Sequence, residues 1–240
     1  MIEVDSLSRS YGDFTAVRNL TFSVAPGEVV GLVGPNGAGK TTTLRCLVGI
    51  LRPTSGSIRI AGHDLREDPL NAKAALAFVP DEPQLFPHLT VREHLRFTGR
   101  IYGVEDTDAR GASLLEELEL TDRADALPDE LSRGMKQKLA IGCGLLHEPR
   151  ALLLDEPLTG LDPGAIRRMK RTIRERAAQG AAVILSSHLL SLVEELCSRI
   201  LVIQSGEMVA MGTLNDIIAE RPGLAGRGLE DVFLALTERA

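Results

Sequence analysis

Gly34-Pro35-Asn36-Gly37-Ala38-Gly39-Lys40-Thr41 satisfies the pattern G-x-x-x-x-G-K-[ST]. It lies between a short apolar run, residues 28–33, which reads as a buried strand, and a segment of helical character, residues 42–51. The pattern works in that order of strand, glycine loop and helix. Glycines let the backbone curl so that successive N–H groups point inward at phosphate oxygens. The following helix offers unpaired donors and the positive end of its dipole. Lys40 supplies a mobile positive charge for β- and γ-phosphates, and the Thr41 hydroxyl can ligate Mg²⁺. From average glycine usage, a chance match in a chain of this length is on the order of one in a hundred. The rival fingerprint G-x-G-x-x-G is absent, which disfavours a dinucleotide site.

Outward from this loop, strand-like runs cover residues 2–8, 14–24, 57–60 and 75–79. Between residues 91 and 146 the pattern turns helical, with Leu114, Leu115, Leu118 and Leu120 on a charged background. Alternation then returns: strand 151–154, helix 163–178, strand 182–186, helix 189–197, and strands 200–203 and 208–211. Interleaved strands and helices predict a largely parallel sheet covered on both faces, interrupted by one helical insertion.

A second chemical feature sits on the strand Ala151-Leu152-Leu153-Leu154, which ends in Asp155-Glu156-Pro157. Buried strands rarely end in adjacent acids without a use for them. Asp155 can hold a Mg²⁺ shell, and Glu156 can polarise an attacking water. A solvated turn is the plainer explanation, and the phosphate loop weighs against it.

Composition bounds the rest. The 240 residues carry 27 Lys+Arg against 33 Asp+Glu, a net charge of −6, which disfavours a general nucleic-acid binder. With no Trp, two Tyr and six Phe, a broad base-stacking platform is excluded. No apolar run approaches the roughly 18 residues of a spanning helix, and the first residues carry no secretory signal pattern. Cys46, Cys143 and Cys197 are scattered in apolar contexts, which fits buried thiols in a reducing compartment.

Five elements in order resemble the ATP-binding subunits of ABC transporters, over nearly the whole chain. Gly34–Thr41 resembles the Walker A loop, and Leu152-Leu153-Leu154-Asp155-Glu156 the Walker B strand with its glutamate. Leu131-Ser132-Arg133-Gly134-Met135 resembles the ABC signature, Leu161-Asp162 the D-loop, and His188 the switch histidine. The resemblance implies an α/β fold: a P-loop NTPase (RecA-like) parallel-sheet core with an antiparallel β portion and an inserted α-helical subdomain. It implies one cassette over residues 1–240. Residues 1–85 and 150–215 would form the nucleotide-binding core, 86–149 the signature subdomain and 216–240 a C-terminal helical tail. Cofactors would be ATP and Mg²⁺. Glu156, His188 and Lys40 would be catalytic. Tyr11, Gly34, Pro35, Asn36, Gly37, Ala38, Gly39, Lys40, Thr41, Thr42, Ser132 and Gly134 would bind nucleotide. Thr41, Asp155 and Asp81 would hold the metal. The partners implied are a membrane-spanning permease subunit and a second ABC cassette, identical or not, with no nucleic acid. The place implied is the cytoplasmic face of the cell membrane, as a peripheral protein.

The residues support parts of this independently. Ser132 precedes an apolar helical face (Met135, Leu139, Cys143, Leu146) and reads as an N-cap, a role compatible with anion binding. Tyr11, beside Gly12-Asp13, is either a turn residue or an aromatic against adenine. Three positions depart from the family pattern. Arg133 replaces the signature's first glycine and Met135 its glutamine. Asp81 stands where a glutamine is usual, and it can accept a metal-bound water but cannot donate as an amide does. Arg133 would assist anion binding or point to solvent. The relaxed signature and the tail Leu229-Glu230-Asp231-Val232-Phe233-Leu234-Ala235-Leu236 resemble bacterial ABC-2-type exporters. The competing expectation is an ABC-type ATPase or nucleotide-dependent regulator unattached to a transporter. The lack of a long coiled coil, the single cassette and the intact Lys40, Asp155, Glu156 and His188 weigh against it.

Overall fold

The computed structural model describes residues 1–224 and 226–237. Its strands are β1 (Ile2–Tyr11), β2 (Phe14–Val24), β3 (Val29–Val33), β4 (Ser55–Ile60), β5 (His63–Asp64), β6 (Leu76–Val79), β7 (Ala151–Asp155), β8 (Ala182–Ser186), β9 (Arg199–Gln204) and β10 (Glu207–Gly212). Its helices are α1 (Lys40–Leu47), α2 (Pro69–Ala74), α3 (Val91–Tyr102), α4 (Thr107–Glu117), α5 (Arg133–Leu145), α6 (Pro163–Ala178), α7 (Leu190–Leu196), α8 (Leu214–Ala219) and α9 (Leu229–Thr237).

The strands form two sheets, ordered β2-β1-β4-β5 and β10-β9-β3-β8-β7-β6. The first is antiparallel throughout. In the second, β9, β3, β8, β7 and β6 run parallel and β10 closes one edge antiparallel to β9. Every residue of β3, β7 and β8 is buried. Covered on both faces, these strands read as continuous apolar runs rather than alternating ones.

Alternate side chains of the central strands enter different layers. Val30, Leu32, Leu153 and Ile184 pack with Leu7, Leu20 and Ile60 of the antiparallel sheet and with Leu44 and Leu47 of α1. Leu152, Leu154, Val183 and Leu185 face the helices, among them Leu139 and Ile141 of α5 and Met169 and Ile173 of α6. One cover of the parallel sheet is therefore a second sheet with α1, and the other is helical. A third cluster joins Val33, Ile200 and Val202 to Ile217 of α8 and to Leu229, Val232 and Leu236 of α9. The tail thus seals the β9–β10 end.

The helical stretch expected over residues 91–146 is three α-helices with short 3₁₀ turns at Thr121–Arg123 and Pro128–Glu130. Thr90 opens α3 with a capping box: the Glu93 amide donates to its hydroxyl while its own amide donates to the Glu93 carboxylate. The cation-rich α6 fastens this insertion to the sheet. Arg176 and the Thr172 hydroxyl bind Glu117, Arg168 binds Glu119 (which Lys138 of α5 also holds), and Lys170 and Arg174 tie α6 to Glu195 near the end of α7. The three cysteines are free, and burial pushes their thiols up, Cys46 and Cys143 to about 11 and Cys197 to about 12. They serve as small apolar fillers.

Leu153 is fully buried between the two sheets. Leu153→Ala should therefore lower unfolding free energy by about 2–5 kcal/mol, read from chemical denaturation.

Candidate nucleotide site

The loop from Gly34 to Thr41 leaves β3 and enters α1 as the sequence predicts. Helix α1 starts two residues earlier than its pattern suggests, at Lys40, with Gly39 as N-cap. Gly39 holds φ 104°, and a Cβ there would lie 2.6 Å from the Ala16 carbonyl oxygen. Glycine is required by backbone conformation and by space alike. No side chain caps α1 and no acid stands in its first turn, which leaves its amides and dipole to an anion. The loop rests on distant parts of the chain. The Gly206 amide donates to the Ala38 carbonyl at 2.9 Å, and the Arg18 amide donates to the Gly206 carbonyl at 2.8 Å. The turn between β9 and β10 and the strand β2 thus prop it from beneath.

The Lys40 ammonium donates to the carbonyls of Gly34 at 2.6 Å and Pro35 at 3.1 Å. Burial pushes its pKa down, opposed by the charges of Glu156 and Asp155. Asn36, Gly37 and Thr41 are exposed, Pro35 and Thr42 half-buried, and Ala38 buried. A glycine cradle, an uncapped helix start and a partly desolvated cation together fit a polyphosphate.

Asp155 ends β7 and is 7% exposed. Register pairs it with Ser186 on β8, whose hydroxyl donates to its carboxylate. Glu156 follows in the left-handed region, φ 49°, which is costly for a residue with a side chain. Its amide donates to the Ser186 carbonyl at 3.2 Å, and this holds the turn. His188, two residues beyond β8, brings Nδ1 to 2.8 Å from Glu156 Oε2. Burial pushes Glu156 up from the usual carboxylate range, while the charge and hydrogen bond of His188 pull it back. The structure thus brings Lys40, Asp155, Glu156 and His188 to one end of the parallel sheet. Ser186 was not singled out from sequence, since a serine closing an apolar strand carries no pattern of its own.

Other predicted residues lie elsewhere. Ser132 caps α5, accepting from the Met135 amide at 3.3 Å. Gly134 packs so closely on the loop after β7 that a Cβ would lie 2.9 Å from the Gly160 carbonyl oxygen. Asp162 caps α6, accepting from the Ala165 amide at 2.9 Å. Tyr11 ends β1 opposite Phe14, 45% exposed, with the Arg9 guanidinium 4.5 Å above its ring. One ring face is thereby taken. The Asp81 carboxylate accepts from Arg133 at 3.1 Å, so its observed partner is a guanidinium.

The sequence pattern of the family described as ABC transporter matches residues 17–159. The chain belongs to the ABC transporter family. Within it, the chain is an ATP-binding cassette, the ATPase part of such a transporter. It is 36% identical over 240 residues to the ABC-type transporter ATP-binding protein EcsA of Bacillus subtilis, covering 99% of this chain and 97% of that protein. It is 42% identical over 224 residues to the Nod factor export ATP-binding protein I of Paraburkholderia xenovorans, covering 92% and 74%. Among solved structures, an ATP-binding subunit of an ABC transporter superposes with a TM-score of 0.94 at 37% identity, covering 98% of this chain and 99% of that one. A cassette bound to ADP and Pi, 23% identical, shares the fold with a TM-score of 0.81, covering 89% and 99%. This ABC cassette therefore has the α/β P-loop architecture its motifs imply.

Three outcomes test the site. Gly39→Ala should destabilise the fold by about 1–3 kcal/mol and abolish binding of a fluorescent ATP analogue. A carboxylate raised by burial gains its basic form only at higher pH than an ordinary glutamate, so turnover should rise with pH through that value. His188→Ala removes the two larger influences that hold Glu156 down and leaves only the charge of Lys40. It should lower kcat by about 10²-fold or more and move the acid limb of the pH–rate profile to higher pH.

Proposed function

We propose that this cassette drives export: it binds Mg²⁺-ATP, closes head to tail on a second cassette, hydrolyses ATP and passes the motion to a membrane-spanning permease. The observation that carries the reading is the Glu156–His188 contact at 2.8 Å beside buried Asp155 and Lys40. It supplies an oriented base where a γ-phosphate on the Gly34–Thr42 loop would end.

In this reading the loop amides and Lys40 bind the phosphates, and the open face of Tyr11 receives adenine. Thr41 and Asp155 would hold Mg²⁺, which neutralises phosphate charge when bound. Glu156 accepts a proton from a water as the oxygen of that water bonds to the γ-phosphorus. The bond to the β-phosphate oxygen breaks, and ADP and phosphate result. His188 orients Glu156. This is phosphoryl transfer by positioning and electrostatics, with no covalent intermediate. Ser132 and Gly134, whose contacts run to α5 and Gly160, are the face offered to the second copy's phosphates.

The same proposal divides the chain into a nucleotide core over residues 1–85 and 150–215, a signature subdomain over 86–149 and a tail over 216–240. Where the core meets the signature subdomain lies a groove of about 290 Å³, lined by Phe78 and Leu85 on the core side and by Phe86, His94, Tyr102 and His147 on the other. Phe86 meets Phe97 edge-on at 5.1 Å, and Tyr102 stacks on His147 at 3.8 Å. Phe86, Phe97 and Ile101 are exposed. A permease segment is the occupant that suits this face. Among the described residues no helix is long and apolar enough to cross a membrane. We assign the cassette a peripheral place on the cytoplasmic membrane face, with no nucleic-acid partner. Export is the direction named for the Nod factor relative.

Glu156→Gln should keep ATP binding, lose about 10²–10⁴-fold of turnover and accumulate ATP-dependent dimers on size-exclusion chromatography. Unchanged turnover removes Glu156 as the base. A parent chain without turnover, alone or with a co-purified permease, favours a regulator.

A further inference from the structure

Asp81 and Arg133 are two of the three positions, with Met135, where the chain departs from the ABC pattern, and the structure joins these two. Asp81 lies in the loop that leaves β6, and Arg133 is the first residue of α5. The Arg133 guanidinium donates to Asp81 Oδ1 at 3.1 Å across 52 positions of sequence. Its methylene stem lies against Gly160, whose carbonyl is also the floor under Gly134. One side chain therefore ties together three segments: the loop after β6, the start of α5, and the loop between β7 and α6.

The pair is half-exposed, 56% for Arg133 and 45% for Asp81. Water and salt screen such a contact, so it adds little to overall stability. Its value lies in what it connects. Four and five residues beyond Asp81, the same loop supplies Leu85 and Phe86 to the apolar groove. One residue before Arg133, Ser132 caps the helix that carries the signature. Among the described residues, this is the only side-chain hydrogen bond from residues 80–90 to α5. An arginine without a counter-charge would swing freely at the signature turn, and an aspartate without its partner would leave the loop untethered.

We propose that Asp81 and Arg133 act as a positioning pair, which holds the signature turn in register with the groove loop and so sets how readily a second copy seats on Ser132 and Gly134. The proposal rests on the reading of Ser132 and Gly134 as the face offered to a second cassette. Two substitutions that each look like a loss thus compensate one another.

The test uses the full chain in a Glu156→Gln background with Mg²⁺-ATP. Analytical ultracentrifugation gives the protein concentration at half-dimerisation. Arg133→Asp and Asp81→Arg should each raise it about threefold or more, the scale of an exposed ion pair. The combined swap should bring it back toward the parent value. Asp81→Asn should shift it in the same direction, and its difference from the parent should shrink as salt is added. Thermal melts run alongside identify any variant that fails to fold. A swap no better than either single variant, or singles that dimerise like the parent, overturns the pair. A parent that binds ATP without dimerising removes the reading beneath it, and that failure is visible before any pair variant is compared.

Discussion

The parallel pairing of β7 with β8 is the constraint on which the chemistry depends. Its register sets Asp155 opposite Ser186. From that one alignment follow the serine bond to the Asp155 carboxylate, the serine-anchored turn at Glu156, and the departure of the chain toward His188. Because β3 lies on the other side of β8 in the same direction, the phosphate loop emerges at the same end of the sheet. Three strands buried on both faces leave no freedom to slip, since a shift by one residue would turn every side chain into the wrong layer. The apolar runs that make the strands are thus also what aims the polar ends.

Much of this was legible in the sequence because the signals are local. The glycine loop needs particular residue types at fixed offsets. The acids of Asp155-Glu156 stand out against four apolar residues. The two lengths of periodicity separate the helical insertion from the α/β parts. Elements too short to show a period have no such signal: the six-residue α2 and the two-residue β5. Helix α1 begins earlier than its pattern suggested, because Thr41, Thr42 and Thr43 are weak helix formers. Burial of Thr43 and Leu44 overrides that preference.

The pairings between distant residues had no local signature. Gly206 under Ala38, His188 on Glu156 and Arg133 on Asp81 are each made by strand order and helix docking. Arg133 illustrates the limit well. Anion binding and solvent exposure were the two roles its sequence context offered, and the structure gives it a carboxylate from a loop 52 positions away.

The contacts of Lys40 carry a consequence of their own. Its ammonium caps two carbonyls of the loop that it is meant to serve, 2.6 and 3.1 Å away. Those bonds tie the first turn of α1 back to the start of its own loop. Under the proposed function, an arriving triphosphate gains only the difference between two sets of partners for the same cation. Affinity is tempered at the point of entry, which favours a cassette that must release its spent nucleotide on every cycle.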